Sequence, residues 1–315
     1  MPAFVILILT SLCCYLISTM PSLTFILAII WGTALISAVF YLKRGLMLVI
    51  YALNMGLMYA WGGSGNLLFY LAFFALAALV MSLMVSYNRD YYQVQKWGII
   101  TAVLCVSLFM GVVYLNSGGI GMKQMEHQLN SYFQESIKAY EDSGLMTLYE
   151  EQGMSKAEVE KSFAQIAAGI ARHLPAFYYL QAIMVVFFML LATVYVNLKL
   201  QIRRLKKRPY IQEIMPWPLV WVAIAGLGLW LLGREEMSQL YYAGSNILAV
   251  MVPVTFYFGL SALLFKIKEQ KSKRKKWMIV ALIVLSIVFP LSAVIFLCLL
   301  GLFDALLDFR HLYAR

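Results

Sequence analysis

The sequence predicts an all-α polytopic transmembrane helical bundle of about nine spans, carrying an extracytoplasmic amphipathic helical insert. Three observations predict it. Of the 315 residues, 63% are hydrophobic and 13% charged, whereas water-soluble chains carry roughly 25% charged residues. Apolar blocks near the length needed to cross a bilayer, about 20 residues, recur along the chain. One long stretch, Ser117 to Leu174, interrupts them with polar and charged residues. The chain thus divides into an N-terminal five-span half (residues 1–116), the insert (117–174) and a C-terminal membrane half of about four spans (175–315).

The first span is expected over Ala3–Ile17, ended by Met20-Pro21. It has no Lys or Arg before its apolar run and no clear small-residue cleavage site, so a retained helix is expected rather than a signal peptide. Thr10, Cys14 and Ser18 recur every fourth residue, a small-residue stripe that lets another helix approach. Ser22–Leu42 follows, stopped by Lys43-Arg44-Gly45. Leu46–Trp61 and Leu67–Tyr87 flank Gly62-Gly63-Ser64-Gly65-Asn66, read as a tight uncharged turn. Trp97–Leu115 is the fifth span. Pro175 opens the sixth, at a first-turn position where the missing N–H costs nothing. Pro216-Trp217-Pro218 opens the seventh, and Ala243–Phe265 is the eighth. The last block, Trp277–Phe303, is broken by Pro290 and reads either as one tilted helix or as a hairpin.

The net charge of +10 is read as loop bias, with no nucleic-acid partner expected. Basic residues collect at Lys43-Arg44, Arg89 and Lys96, Lys199–Arg208 and Lys266–Lys276. The intervening short loops carry only Arg234 beside Glu235 and Glu236. Local basic excess sets orientation, which predicts a cytoplasmic N-terminus and an insert outside. The basic clusters Arg203, Arg204, Lys206, Lys207, Arg208 and Lys273, Arg274, Lys275, Lys276 would contact anionic lipid headgroups or a docked protein partner.

Within the insert, Met125, Leu129, Tyr132, Phe133, Ser136 and Tyr140 recur at helical spacing, as do Val159, Phe163, Ile166, Ala167 and Ile170. Ser155 with Glu158 matches a capping box. Two amphipathic helices linked through Gly144 and Gly153 are expected. Such an insert lies on the membrane surface or folds over a cavity.

No Asp, Glu, Lys, Arg or His stands near the middle of a predicted span, which argues against proton-coupled transport. No metalloprotease or nucleophile-elbow motif is present, so no catalytic residue, metal or cofactor is assigned and the chain is not read as an enzyme. The cysteines Cys13, Cys14, Cys105 and Cys298 lie in apolar blocks and read as packing residues. His127, His173 and His311 are isolated in sequence. The polar groups inside spans are few: Asn54, Gln181, Asn246, Thr255 and Ser261. Asn54, Gln181 and Asn246, with Trp217 and Trp221, are the candidate small-molecule contacts. Interhelical hydrogen bonding and an interfacial aromatic belt, which would also take Tyr178 and Tyr179, are the alternative readings.

Several motifs together carry a resemblance: the proline-opened sixth span, Pro216-Trp217-Pro218-Leu219-Val220-Trp221, Tyr242-Ala243-Gly244-Ser245-Asn246-Ile247-Leu248, and Gly301-Leu302-Phe303-Asp304 with Asp308-Phe309-Arg310. The chain resembles the YybS-like family of uncharacterised bacterial membrane proteins, distantly similar to the S-components of energy-coupling-factor transporters. That resemblance implies six initial spans mapping onto an S-component core that captures a small molecule. S-components carry Ala-x-x-x-Ala on the first helix for their coupling subunit, where this chain has Thr10-Cys14-Ser18. The long insert and the additional C-terminal spans are further departures. The resemblance also implies an alternative, a non-transporting regulatory protein that docks a partner such as a cyclic-dinucleotide phosphodiesterase.

Overall fold

The computed structural model describes residues 2–117, 122–143, 155–200, 205–235 and 239–310, and the regular elements among them are all helical. The chain divides into two units, residues 1–207 and 208–315. Among the described residues, six stretches are long and apolar enough to cross a membrane: Pro21–Ala38, Arg44–Ser86, Tyr91–Asn116, Leu174–Lys199, Gln239–Glu269 and Pro290–Leu307. Ala3–Thr19 and Trp217–Leu232 are apolar but shorter. Six rather than nine therefore meet both criteria, partly because one of them contains a reversal.

In the first unit, α1 (Pro2–Thr19) leads through a turn at Pro21–Leu23 to α2 (Thr24–Ala38). α3 (Arg44–Tyr70), a π-turn at Leu71–Ala75 and α4 (Leu76–Ser86) then follow without a loop. A straight helix would hold Tyr51 and Phe74 about 34 Å apart at 1.5 Å per residue. Both rings instead lie beside Trp31, at centroid distances of 6.1 and 5.6 Å. Arg44 Nη2 also donates to the Ser86 carbonyl at 2.7 Å. The stretch is a helical hairpin reversed at Gly63, whose φ of 74° and ψ of 179° suit a residue without Cβ. The glycine-rich turn expected at residues 62–66 is thus compressed to a single non-helical residue.

α5 (Tyr91–Ser117) starts where the Asp90 carboxylate accepts the Gln93 N–H at 2.7 Å. The insert follows as α6 (Met122–Asp142) and α7 (Lys156–Arg172), which pack on each other. Phe133 stacks on Phe163 at 5.0 Å, next to buried Ile137 and Val159. The Ser155–Glu158 capping box forms. The link through Gly144 and Gly153 lies outside the described residues. After α7, His173 alone separates it from α8 (Leu174–Lys199), which packs against α2 and α5.

The second unit contains a turn at Tyr210–Gln212, α9 (Trp217–Leu232), α10 (Gln239–Glu269), α11 (Ser272–Val288) and α12 (Pro290–Leu307). α9 and α10 are antiparallel, since Gly226 faces Ile247 while Trp230 meets Tyr241. α12 runs parallel to α10, because Cys298 lies at Val252, Gly301 at Thr255 and Gly259, and Asp304 shares Arg310 with Ser261. α11 must then run back between them. The final block is the hairpin, broken where Phe289 leaves helical geometry (φ −128°, ψ 66°) before Pro290, which has no N–H to continue the ladder. Gly259 and Gly301 form the α10–α12 crossing. A Cβ on either would overlap the carbonyl oxygen of Leu297 or Thr255, so only glycine admits this backbone approach.

The Lys266–Lys276 run is not a loop. Lys266 and Lys268 occupy the last turn of α10, and Lys273–Lys276 fall within the first turns of α11. Only Gln270 and Lys271 lie between the two helices.

Candidate functional site

The first cluster of interest is aromatic. A π-turn spaces hydrogen bonds one residue further apart than an α-turn. Over Leu71–Ala75 it lets four successive side chains, Ala72 to Ala75, all face inward. Phe73 is 1% exposed and meets three rings: Phe69 stacked at 4.2 Å, Phe109 at 5.6 Å and Tyr178 at 5.3 Å, the last two edge-on. Phe109 also meets Phe69 at 6.1 Å and Tyr178 at 6.2 Å. Phe69, Phe109 and Tyr178 are each half-buried. Such edge-to-face pairs contribute about 0.5–1.5 kcal/mol beyond area burial.

These rings lie close in sequence to the insert, Phe109 before the end of α5 and Tyr178 just after the start of α8. Alongside them, Ser107 Oγ and Tyr179 Oη share a 2.8 Å hydrogen bond that ties α5 to α8. Gln181 follows Tyr178 by three residues on α8, on the adjoining turn. It is half-buried, and among the described residues its carboxamide makes no hydrogen bond. A half-buried carboxamide keeps two donors and an acceptor, so this group is suited to meet a polar atom from outside the fold.

Deeper in the first unit the packing is closed. Trp31, Phe74, Met81 and Met189 are at most 1% exposed. Asn54 is fully buried between α3 and α1. Its Nδ2 donates to Thr10 Oγ1 at 3.0 Å, and its Oδ1 accepts from Cys14 Sγ at 3.3 Å. Both ends of this candidate contact residue are used to hold two helices together.

The second unit holds a buried polar network. Arg310 Nε donates to Asp304 Oδ1 and Oδ2 at 3.1 and 3.0 Å, and Nη2 to Oδ2 at 2.6 Å. Nη1 donates to the Ile211 carbonyl at 2.8 Å and to Ser261 Oγ at 3.0 Å, and Nη2 also to the Glu213 carbonyl at 2.7 Å. Ser261 Oγ donates to the Tyr210 carbonyl at 2.6 Å. Tyr257 Oη donates to the Glu213 carboxylate. The Tyr210 phenol donates to the Tyr257 carbonyl at 2.7 Å. Burial and the Glu213 charge push the Tyr210 phenol up to about 12, against a smaller opposing pull from Arg310. Asp304, Arg310 and Glu213 are at most 5% exposed. A cleft of about 230 Å³ lies alongside, lined by Ala262, Lys266, Leu300, Asp304, Phe309 and Arg310.

The remaining sequence-derived residues are dispersed. In the second unit, Asn246 Nδ2 donates to the Tyr242 carbonyl at 2.7 Å. Trp217 and Trp221 are exposed and meet edge-on at 5.6 Å. Lys206, Arg208, Arg274 and Lys276 are exposed and Lys275 is half-buried. Lys207 places its ammonium 6.0 Å from the Tyr91 ring centre. Arg203 and Arg204 lie outside the described residues, as does the side chain of Lys273. Sequence reasoning missed Phe69, Phe73 and Phe109, which read as ordinary span residues. It also missed Glu213 and the pairing of Asp304 with Arg310. A carboxylate six residues before an arginine at the end of an apolar run was the available signal for that pair.

Comparison with known proteins finds a family model, described as predicted membrane protein (DUF2232), that matches residues 5–305. No curated protein and no solved structure matches the chain.

Proposed function

This chain belongs to the DUF2232 family of predicted membrane proteins, and on that premise we propose that its first unit captures a small molecule arriving from the side of the insert. The protein is a multi-pass membrane protein. In this reading it lies in a bacterial plasma membrane, with the N-terminus cytoplasmic, the α6–α7 hairpin outside, and the shorter helices α1, α9 and α11 crossing with the rest. The observation that carries it is the Gln181 amide, without a hydrogen bond among the described residues, three residues along α8 from Tyr178, whose half-buried ring meets Phe109. Small-molecule sites combine apolar walls with a few placed polar groups, and this cluster offers both near the insert. The first unit, ending at Lys207, also coincides with the six spans that an S-component-like reading assigns to capture.

The test is purification in mild detergent, followed by mass spectrometry of small molecules released on denaturation. One compound near one equivalent per chain is expected. Gln181→Leu should lower its occupancy about tenfold, the worth of one lost hydrogen bond, and Tyr178→Ala should also reduce it. A chain that carries no compound, with both variants indistinguishable from it, would refute the reading.

A second reading, a docking protein for a cytoplasmic or membrane partner such as a cyclic-dinucleotide phosphodiesterase, draws on the basic residues gathered on helix ends between Lys266 and Lys276. Reversing the charges across Arg203–Arg208 and Lys273–Lys276 together separates the two. Docking would be lost under the second reading, while ligand capture from the insert side would persist under the first.

A further inference from the structure

We propose that the cleft between α10 and α12 binds one anionic phospholipid, with an acyl segment against Ala262, Leu300 and Phe309 and its phosphate at Lys266. This site belongs to the second unit and does not depend on capture by the first.

The charges in the cleft decide what fits. Asp304 and Arg310 both line it, yet neither offers charge to a ligand. Every guanidinium N–H of Arg310 is committed, to Asp304, Ile211, Ser261 and Glu213. The Asp304 carboxylate is neutralised by the same guanidinium. Lys266 remains as the open cation, its side chain 47% exposed, with Glu269 at 3.4 Å in an exposed pair that holds it weakly. Glu269 is the only acid between Lys266 and Lys276.

A further imbalance lies in α11. Lys273, Arg274, Lys275 and Lys276 stand in its first turns with no acid in the first turn, at the positive end of the helix dipole, where cations are disfavoured. Among the described residues no acid pairs with Arg274, Lys275 or Lys276, and the headgroups of an anionic leaflet supply the offsetting charge. The other walls, Ala262, Leu300 and Phe309, are hydrocarbon, which a soluble phosphate would leave uncovered. Charge and apolar wall together select an amphiphile with a phosphate head.

The experiment uses the full chain, delipidated in detergent and exchanged into nanodiscs of equal phosphatidylglycerol and phosphatidylcholine. Retained lipid is then counted by native mass spectrometry. Wild type should retain phosphatidylglycerol over phosphatidylcholine by about fivefold or more, the worth of one basic residue near an anionic surface. Lys266→Gln, which alters an exposed side chain, should lower that preference about fivefold. Leu300→Trp, which fills the cleft and leaves the charge, should lower phosphatidylglycerol retention as well. Glycerol 3-phosphate in excess should not displace the lipid. Equal retention of the two lipids by wild type, a Lys266→Gln chain with wild-type preference, or displacement by glycerol 3-phosphate would each overturn the proposal.

Discussion

Replacing Arg310 by Met removes the centre of the second unit's polar network while keeping an unbranched side chain of similar reach. Asp304 loses all three of its charge-assisted bonds to the guanidinium. The carbonyls of Ile211 and Glu213 and the Ser261 hydroxyl lose a donor. Breaking a buried ion pair by removing one partner costs about 3–5 kcal/mol, or two to nearly four powers of ten in the folding equilibrium. Adding Asp304→Leu removes the stranded carboxylate, so the double variant should recover at least about 2 kcal/mol of that loss. Recovery stays incomplete because the Ile211 carbonyl still lacks its donor, at about 1–3 kcal/mol when buried, while the Glu213 carbonyl keeps the Ser261 hydroxyl at 3.1 Å. Dodecyl sulfate titration in mild-detergent micelles, followed by tryptophan fluorescence, reads all four members of the cycle. A single variant within about 1 kcal/mol of wild type, or single costs that simply add, would refute the assignment of this pair as a coupled anchor.

Four further outcomes follow from local geometry. Gly259→Ala should destabilise the α10–α12 crossing by at least the roughly 1–3 kcal/mol of overpacking, because its Cβ meets backbone and not a movable side chain. Gly56→Ala, in open space on α3, should be neutral or stabilising by about 0.4–1 kcal/mol, and the same titration compares them. Ser155→Ala removes the α7 cap, and amide exchange over residues 156–160 should speed about fivefold. The Ser155 backbone and hydroxyl hold the Glu158 carboxyl below its ordinary value, so in wild type this protection is present above that ordinary value and lost as pH falls through the lowered one. The Tyr210 phenol is raised to about 12. Its stabilisation is present below the ordinary phenol value of 10.0 and is lost between there and about pH 12. Tyr210→Phe should flatten the stability profile in that window.

The sequence made hydropathy, turns and caps legible because each is a local signal. Ser155 and Glu158 sit three residues apart, and the glycine run around Gly63 marks its own reversal. The small-residue stripe Thr10-Cys14-Ser18 was legible as a close-packing face, but not its partner Asn54, some forty residues away. The same limit hid the Arg310 network, whose acceptors at Ile211, Glu213 and Ser261 come together only through the path of α12. Length alone could not choose between one tilted helix and a Pro290 hairpin, and the parallel register of α10 with α12 does. The π-turn has no signature in Leu71–Ala75, since it is imposed by burying Phe73 and Phe74 together. Of the proposed contact residues, Gln181 stands beside the aromatic cluster, whereas Asn54 has an interhelical role that its residue type could not distinguish from ligand binding.

The most direct test of capture from the insert side is access to position 181. Gln181→Cys, in a background of Cys105→Ala and Cys298→Ala, is exposed in intact cells to a membrane-impermeant maleimide, with Ser131→Cys on α6 as the positive control. The account predicts labelling of both positions from outside, with position 181 protected when the copurified compound is restored in excess. Labelling of Ser131→Cys with none at position 181, or labelling of position 181 only from the opposite side, would contradict it.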